Sequence, residues 1–177
     1  MRRVSLFLTL LLLVMAGLGS CHCAKLPKAV VETNMGTFVI TLYSEDAPHT
    51  VKNFMDLAEQ NFYNGTMFFR VMKGKIIQGG DPRNDGDGGP GYIIAMEPND
   101  RKNVKGAVGM VIGSDVNSAG SQFYICLKAN HEYDGEYTVF GKVTKGMDVV
   151  EKIGDLPVDK NSRPQKMAYI VKMTIER

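Results

Sequence analysis

The sequence has no tryptophan, three cysteines, three histidines and almost no charge imbalance, with 21 Lys and Arg against 19 Asp and Glu. Each shortage removes a class of function. A formal net charge of +2 gives no strong pull toward nucleic acid or anionic membranes, and no basic run is longer than the pairs Arg2-Arg3 and Arg101-Lys102. His22, His49 and His131 are far apart and have no cysteine partners at zinc spacing. Cys21 and Cys23 fall at the end of the leader, so Cys126 stands alone and no disulfide framework is expected. In the apolar run "QFYICL", Cys126 reads as a small buried thiol with no local base to activate it. No apolar run reaches the ~20 residues that a spanning helix needs.

What is present begins with a leader. Residues 1–24 place two arginines before an apolar run, Val4 to Leu18, and then small residues, the layout of a secretory signal. "LGSC" at 18–21 also has the form of a bacterial lipobox, in which Cys21 would carry the lipid. The expectation is an exported protein, periplasmic or secreted, either free after cleavage or anchored through Cys21. The remaining length suits one domain with one core, over 28–177, and its compact size suggests a monomer.

Alternation dominates that domain. "AVVET" and "TFVITLY", joined by "NMG", predict a hairpin, with Phe38, Ile40 and Leu42 on one face of the second strand. After Glu45, Asp46 and Pro48, the recurrence of Val51, Phe54, Ala58 and Phe62 predicts an amphipathic helix of about four turns, its start favoured by the two acids. Strands are predicted at Met67–Met72, Lys75–Gln78, "AVGMVI", "QFYICL", "YTVFGKV" and "MAYIVKMTIE". A short second helix is predicted at 146–153, and "DLPVDKNSRPQK" reads as a surface loop. About eight strands and two helices make a mainly β chain, either a barrel or a sandwich.

The stretch "KGKIIQGGDPRNDGDGGPGY", 73–92, combines many glycines with Asp81, Asp85 and Asp87. It is not a P-loop, because "GKI" runs into a strand and lacks the Ser or Thr after the lysine. It is not a dinucleotide fingerprint, because no helix follows. A calcium loop starting at Asp81 would need oxygen ligands at Arg83 and Tyr92, which neither supplies. "SDVNSAGSQ" has three serines but no nucleophile elbow, and the pair His131 and Asp134 reads as a turn.

Four separated motifs occur in a specific order: "FFRV", "IIQGGDP", "GSQFYICL" and "DGEYTVFGKV". Through them the chain resembles the cyclophilins, the cyclosporin-type peptidyl-prolyl isomerases, from about Lys28 to Arg177, and "GDGGPGY" resembles their bacterial branch. The resemblance implies a closed eight-stranded antiparallel barrel capped by two helices. It implies isomerase activity on X-Pro bonds of folding or exported polypeptides, with no cofactor, metal or nucleic acid. Arg70 and Gln78 would carry the catalysis. Phe69, Met72, Lys75, Ile76, Gly86, Val111, Ile112, Gln122, Tyr124, Tyr133 and Tyr137 would bind substrate, with glycine letting the backbone pass close under an extended peptide.

The chain also departs from the pattern. Lys75 stands where most cyclophilins have Phe, Tyr124 where Phe is usual, Tyr137 where His is usual, and Glu132 at the tryptophan that helps bind cyclosporin. The segment 109–123 is one residue longer than the common form. Weak cyclosporin affinity and retained but reduced activity are therefore expected. The alternative is a prolyl-peptide binding or chaperone module in which Lys75 spoils the pocket.

Overall fold

The computed structural model describes residues 25–113 and 118–177; the leader, with its processing site, and residues 114–117 lie outside the described residues. β1 (Lys28–Thr33) and β2 (Gly36–Leu42) form the expected hairpin, with Val31 opposite Phe38. After α1 (Pro48–Glu59) come β3 (Arg70–Met72), β4 (Ile76–Gly79), β5 (Ala107–Met110), β6 (Phe123–Cys126) and β7 (Val139–Lys145). α2 (Met147–Gly154) and β8 (Ile170–Glu176) complete the chain. The strands pair antiparallel in the order β3-β4-β6-β5-β7-β2-β1-β8.

This sheet is an open half-barrel, not the closed barrel that the resemblance implies. Its end strands, β3 and β8, do not pair with each other. The gap is spanned by single links: a bridge between Met67 and Tyr169, and bonds from Phe68 N to Ala168 O and from Ile170 N to Thr66 O. The predicted strand at Met67–Met72 contracts to 70–72, and Val71 N bonds to Ser162 O rather than to β8.

Alternation splits the central strands between two apolar clusters. Val71, Ile77, Val108, Phe123 and Ile125 point inward and join Phe38, Ile40, Leu42 and Phe140 in the main core. Phe54 of α1 centres that core, with ring centroids 5.0 Å from Phe140, 5.1 Å from Tyr63 and 5.5 Å from Phe123, the last edge-on. The alternate residues Ile76, Ala107, Tyr124, Cys126 and Val139 form a second cluster on the outer face. Because both faces are covered, β4, β5 and β6 are buried at every position and lose the polar-apolar alternation of a half-exposed strand.

Helix α1 is 12 residues long, shorter than the periodicity predicts. Asn61 takes a left-handed backbone (φ 59°), and Phe62 joins the core from outside the helix. The acids before α1 do not cap it: Asp46 instead pairs with Arg101 at 2.8 Å. Glu97 does so from a distant loop, accepting from His49 N (3.0 Å), Thr50 N (2.6 Å) and the Thr50 hydroxyl (2.6 Å). Among the described residues no helix is long and apolar enough to cross a membrane.

Candidate active site

Register places the functional side chains. Arg70 lies opposite Gln78 and Met72 opposite Ile76 across β3 and β4. Gln78 lies opposite Tyr124 across β4 and β6, and Tyr124 opposite Gly109 across β6 and β5. These residues all face outward, so four short strands deliver a cation, an amide and an aromatic ring to one surface.

Two adjoining hollows share that surface. A socket of about 220 Å³ is lined by Arg70, Met72, Ile76, Gln78, Val111, Ile112, Tyr124, Tyr133 and Tyr137. Its aromatic side is built from Tyr124, Tyr133 and Tyr137, packed edge to face with centroids 5.2–5.7 Å apart. A longer groove of about 460 Å³ runs from Arg70 and Gln78 past Gly86–Pro90 to Ile112 and Gln122. The socket suits one compact apolar ring, and the groove suits the chain that leads to it.

A line of hydrogen bonds fixes the polar side. Arg70 Nη1 donates to Gln78 Oε1 at 3.4 Å, its one hydrogen-bond partner among the described residues. Most of its five donors therefore have no partner among the described residues. Gln78 Nε2 donates to Gln122 Oε1 at 3.0 Å, and Gln122 Nε2 donates to Gly86 O and Gly88 O, both at 2.9 Å. Gln122 is thus committed to the glycine-rich loop and orients Gln78.

That loop is organised by Asp81, which is fully buried. Its carboxylate accepts from Arg83 N (2.8 Å), Asp85 N (3.1 Å) and Gly86 N (2.6 Å). Burial pushes its pKa up, but the backbone donors of Arg83, Gly86, Gly88 and Asp85 outweigh this and hold it below the usual range. Gly88 must lack a side chain, because a Cβ there would run into the Asp81 carboxylate. One of the three acids is therefore neither solvated nor a metal ligand, but the post around which the loop is wound. Residue identity alone gave no sign of this, since the bonds depend on how the loop turns.

Two residues assigned to the site by resemblance line neither the socket nor the groove. Phe69, just before β3, lines a hollow with Met67, Phe68, Asn84, Arg163, Pro164, Met167 and Ala168, and shares another with Arg70, Asp85, Asn161 and Arg163. Lys75 sits at the rim and is not among the socket-lining residues. Its ammonium pairs with Glu132 Oε1 at 2.8 Å and lies 4.7 Å above the Tyr133 ring centroid. The second charge is thus drawn toward Glu132 and Tyr133.

Sequence reading also missed Asn103, which is fully buried behind the socket. It accepts the Tyr124 hydroxyl at Oδ1 (2.6 Å) and gives its backbone N–H (2.7 Å) and Nδ2 (3.2 Å) to Asp134 Oδ1. The Asn103 backbone donor, followed by His131, lowers the Asp134 pKa to about 2. Burial raises the Cys126 thiol to about 11, leaving it an inert thiol at neutral pH.

Comparison with known proteins agrees with this geometry. Residues 28–175 match the family model of the cyclophilin-type peptidyl-prolyl cis-trans isomerases. The chain is 40% identical over 152 residues to peptidyl-prolyl cis-trans isomerase-like 1 of Neurospora crassa, covering 83% of this chain and 93% of that protein. It is 43% identical over 140 residues to a peptidyl-prolyl cis-trans isomerase of Helicobacter pylori, covering 75% and 85%. Among solved structures, a cyclophilin-type isomerase of Cryptosporidium parvum, crystallised in the presence of the dipeptide Ala-Pro, superimposes with a TM-score of 0.81 at 31% identity. That match covers 85% of this chain and 99% of the other. With the fold, the outward-facing arginine and the socket in agreement, the chain belongs to the cyclophilin-type peptidyl-prolyl cis-trans isomerase family.

Proposed function

We propose that the outer face of β3, β4, β5 and β6 is where this isomerase turns the X-Pro bond, with Arg70 as the group that favours the twisted state. The observation that carries this is Arg70, on a rigid strand, lining both socket and groove while engaging one long hydrogen bond. The barrier to peptide rotation is ~18–20 kcal/mol, because conjugation flattens the bond. Nothing covalent needs to change, so the enzyme need only bind the twisted bond more tightly than either planar form. On twisting, the prolyl nitrogen loses conjugation and becomes a hydrogen-bond acceptor. A permanently charged guanidinium aimed at it gains strength only then, and each tenfold in rate needs ~1.4 kcal/mol of that preference.

The remaining residues take supporting roles. Met72, Ile76, Val111, Tyr124, Tyr133 and Tyr137 hold the proline ring. Gln78 positions Arg70 and meets the substrate carbonyl, and Ile112, Gly86 and Gln122 border the flanking chain. The Ala-Pro dipeptide associated with the Cryptosporidium parvum structure supports proline-containing ligands here. Glu132, paired with Lys75, replaces a large apolar donor with a carboxylate, and this supports weak cyclosporin binding. A low-micromolar or tighter inhibition constant would overturn that point.

The protein acts on folding or exported chains as a monomer outside the cytosol. The support is the leader of residues 1–24, with cleavage or lipid attachment at Cys21 as its outcome. The loop "GDGGPGY" and Tyr137 support kinship with the bacterial branch. The direct test is a protease-coupled assay on an X-Pro tetrapeptide with wild type and Arg70→Ala. Wild type should accelerate exchange and the variant should not; binding without acceleration by wild type would reduce the protein to a peptide-binding module.

A further inference from the structure

We infer that Asn103 is a positioning residue for the reaction: it accepts the buried Tyr124 hydroxyl and so fixes the ring that forms the socket floor. The inference rests on the reading of this socket as the proline site. Tyr124 is 2% exposed, and its ring lies across Gly109, where any Cβ would strike it. The hydroxyl is thus committed to one direction. There it needs an acceptor, since an unpaired buried hydroxyl is costly. Asn103 Oδ1 supplies it at 2.6 Å.

Asn103 is itself fixed on every side. Asp134 takes both its backbone N–H and its Nδ2, and its carbonyl accepts from Asn130 N at 2.8 Å. Asn130 in turn donates through Nδ2 to Lys75 O and Lys128 O. Asn103 therefore ties the socket floor to the 130–134 turn, which carries the neighbouring ring, Tyr133. Nothing in this network touches the reacting bond. Its effect is on the ring: Asn103 gives the buried hydroxyl its acceptor and so fixes the ring that forms the socket floor.

The test is a double-mutant cycle read as KM and kcat on a proline tetrapeptide, with thermal unfolding in parallel. With Tyr124 present, Asn103→Ala should raise KM about fivefold, the scale of one hydrogen bond, with kcat little changed. Made on top of Tyr124→Phe, which leaves no hydroxyl for Asn103 to anchor, the same change should move KM less than about twofold. The fall in melting temperature should be alike in both backgrounds. Equal KM effects in the two backgrounds, or none in either, would overturn the inference and assign Asn103 a purely structural role. If Asn103→Ala does not fold, Asp134→Ala, which frees Asn103 from the far end, should show the same background dependence. Absence of isomerase activity in the wild type would instead refute the underlying reading.

Discussion

The two faces of β3, β4, β5 and β6 are made from alternate residues of the same strands and, apart from the exposed Arg70 and half-buried Met72, are almost equally hidden from water, yet they do different things. Inward, Val71, Ile77, Phe123 and Ile125 belong to the apolar core. Outward, Arg70, Gln78 and Tyr124 carry polar atoms that are bonded to each other, to a loop or to Asn103. The lesson is that burial does not by itself mark a residue as core. What separates the faces is whether each buried polar group has a partner, because an unpartnered one costs about 1–3 kcal/mol. A family that keeps its chemistry on the outer face can alter it without recasting the core.

The sharpest way to break this contrast is to cut once on each side. Phe123→Ala should cost about 3–5 kcal/mol of stability, because its ring packs against Phe54, Tyr63 and Phe68 and leaves a cavity. Denaturant unfolding measures it. Arg70→Ala, next in size, should lower kcat/KM by about two powers of ten or more while leaving the unfolding midpoint nearly in place. If Arg70→Ala destabilises as much as it inactivates, the separation of faces fails.

Asp81 tests the boundary between them, since it is buried like the core but serves the site. Asp81→Ala strands the amides of Arg83, Asp85 and Gly86 and should cost about 1–3 kcal/mol. It should also raise KM, because the loop then releases Gln122. The pH dependence has a fixed sign. Asp81 and Asp134 both have folded pKa values below the unfolded value of ~3.9, so each stabilises the fold above that pH. Their contribution should fade as pH drops through the folded values, Asp134 finishing near its pKa of about 2. Unfolding midpoints between pH 5 and pH 2 measure this, and Asp134→Asn should flatten the lower part of the curve.

Much of this was legible in the sequence for a local reason. Hairpin pairing, the apolar face of β2 and the helix at Val51–Ala58 follow from spacing over a few residues. Arg70, Gln78, Ile76 and Tyr124 were reachable through motifs in order. The remainder depends on distant pairs. Glu97 caps a helix from 47 residues downstream of Thr50, and Asn103 reaches Asp134 across 31. Whether β3 meets β8 depends on where Val71 N finds its acceptor, and that acceptor is Ser162 O. No local pattern announces such choices, because each is settled by what else the fold brings near.

The smallest effect sharpens the contrast most, because it concerns the rim where the outer face meets solvent. Lys75→Phe removes the ion pair with Glu132 and the cation over Tyr133. The ion pair is half in water, so its loss should shift stability by less than about 1 kcal/mol. A phenyl ring in its place has no charge to hold it toward Glu132 and can turn to extend the wall that Tyr133 and Tyr137 begin. An added aromatic contact is worth about 0.5–1.5 kcal/mol, so KM for a proline tetrapeptide should fall a few-fold and kcat/KM should rise by the same factor. A drop in kcat/KM would mean that the lysine stem already supplies the wall, or that its charge assists Arg70. Either result would move the border of the active site one residue outward, from Ile76 to Lys75.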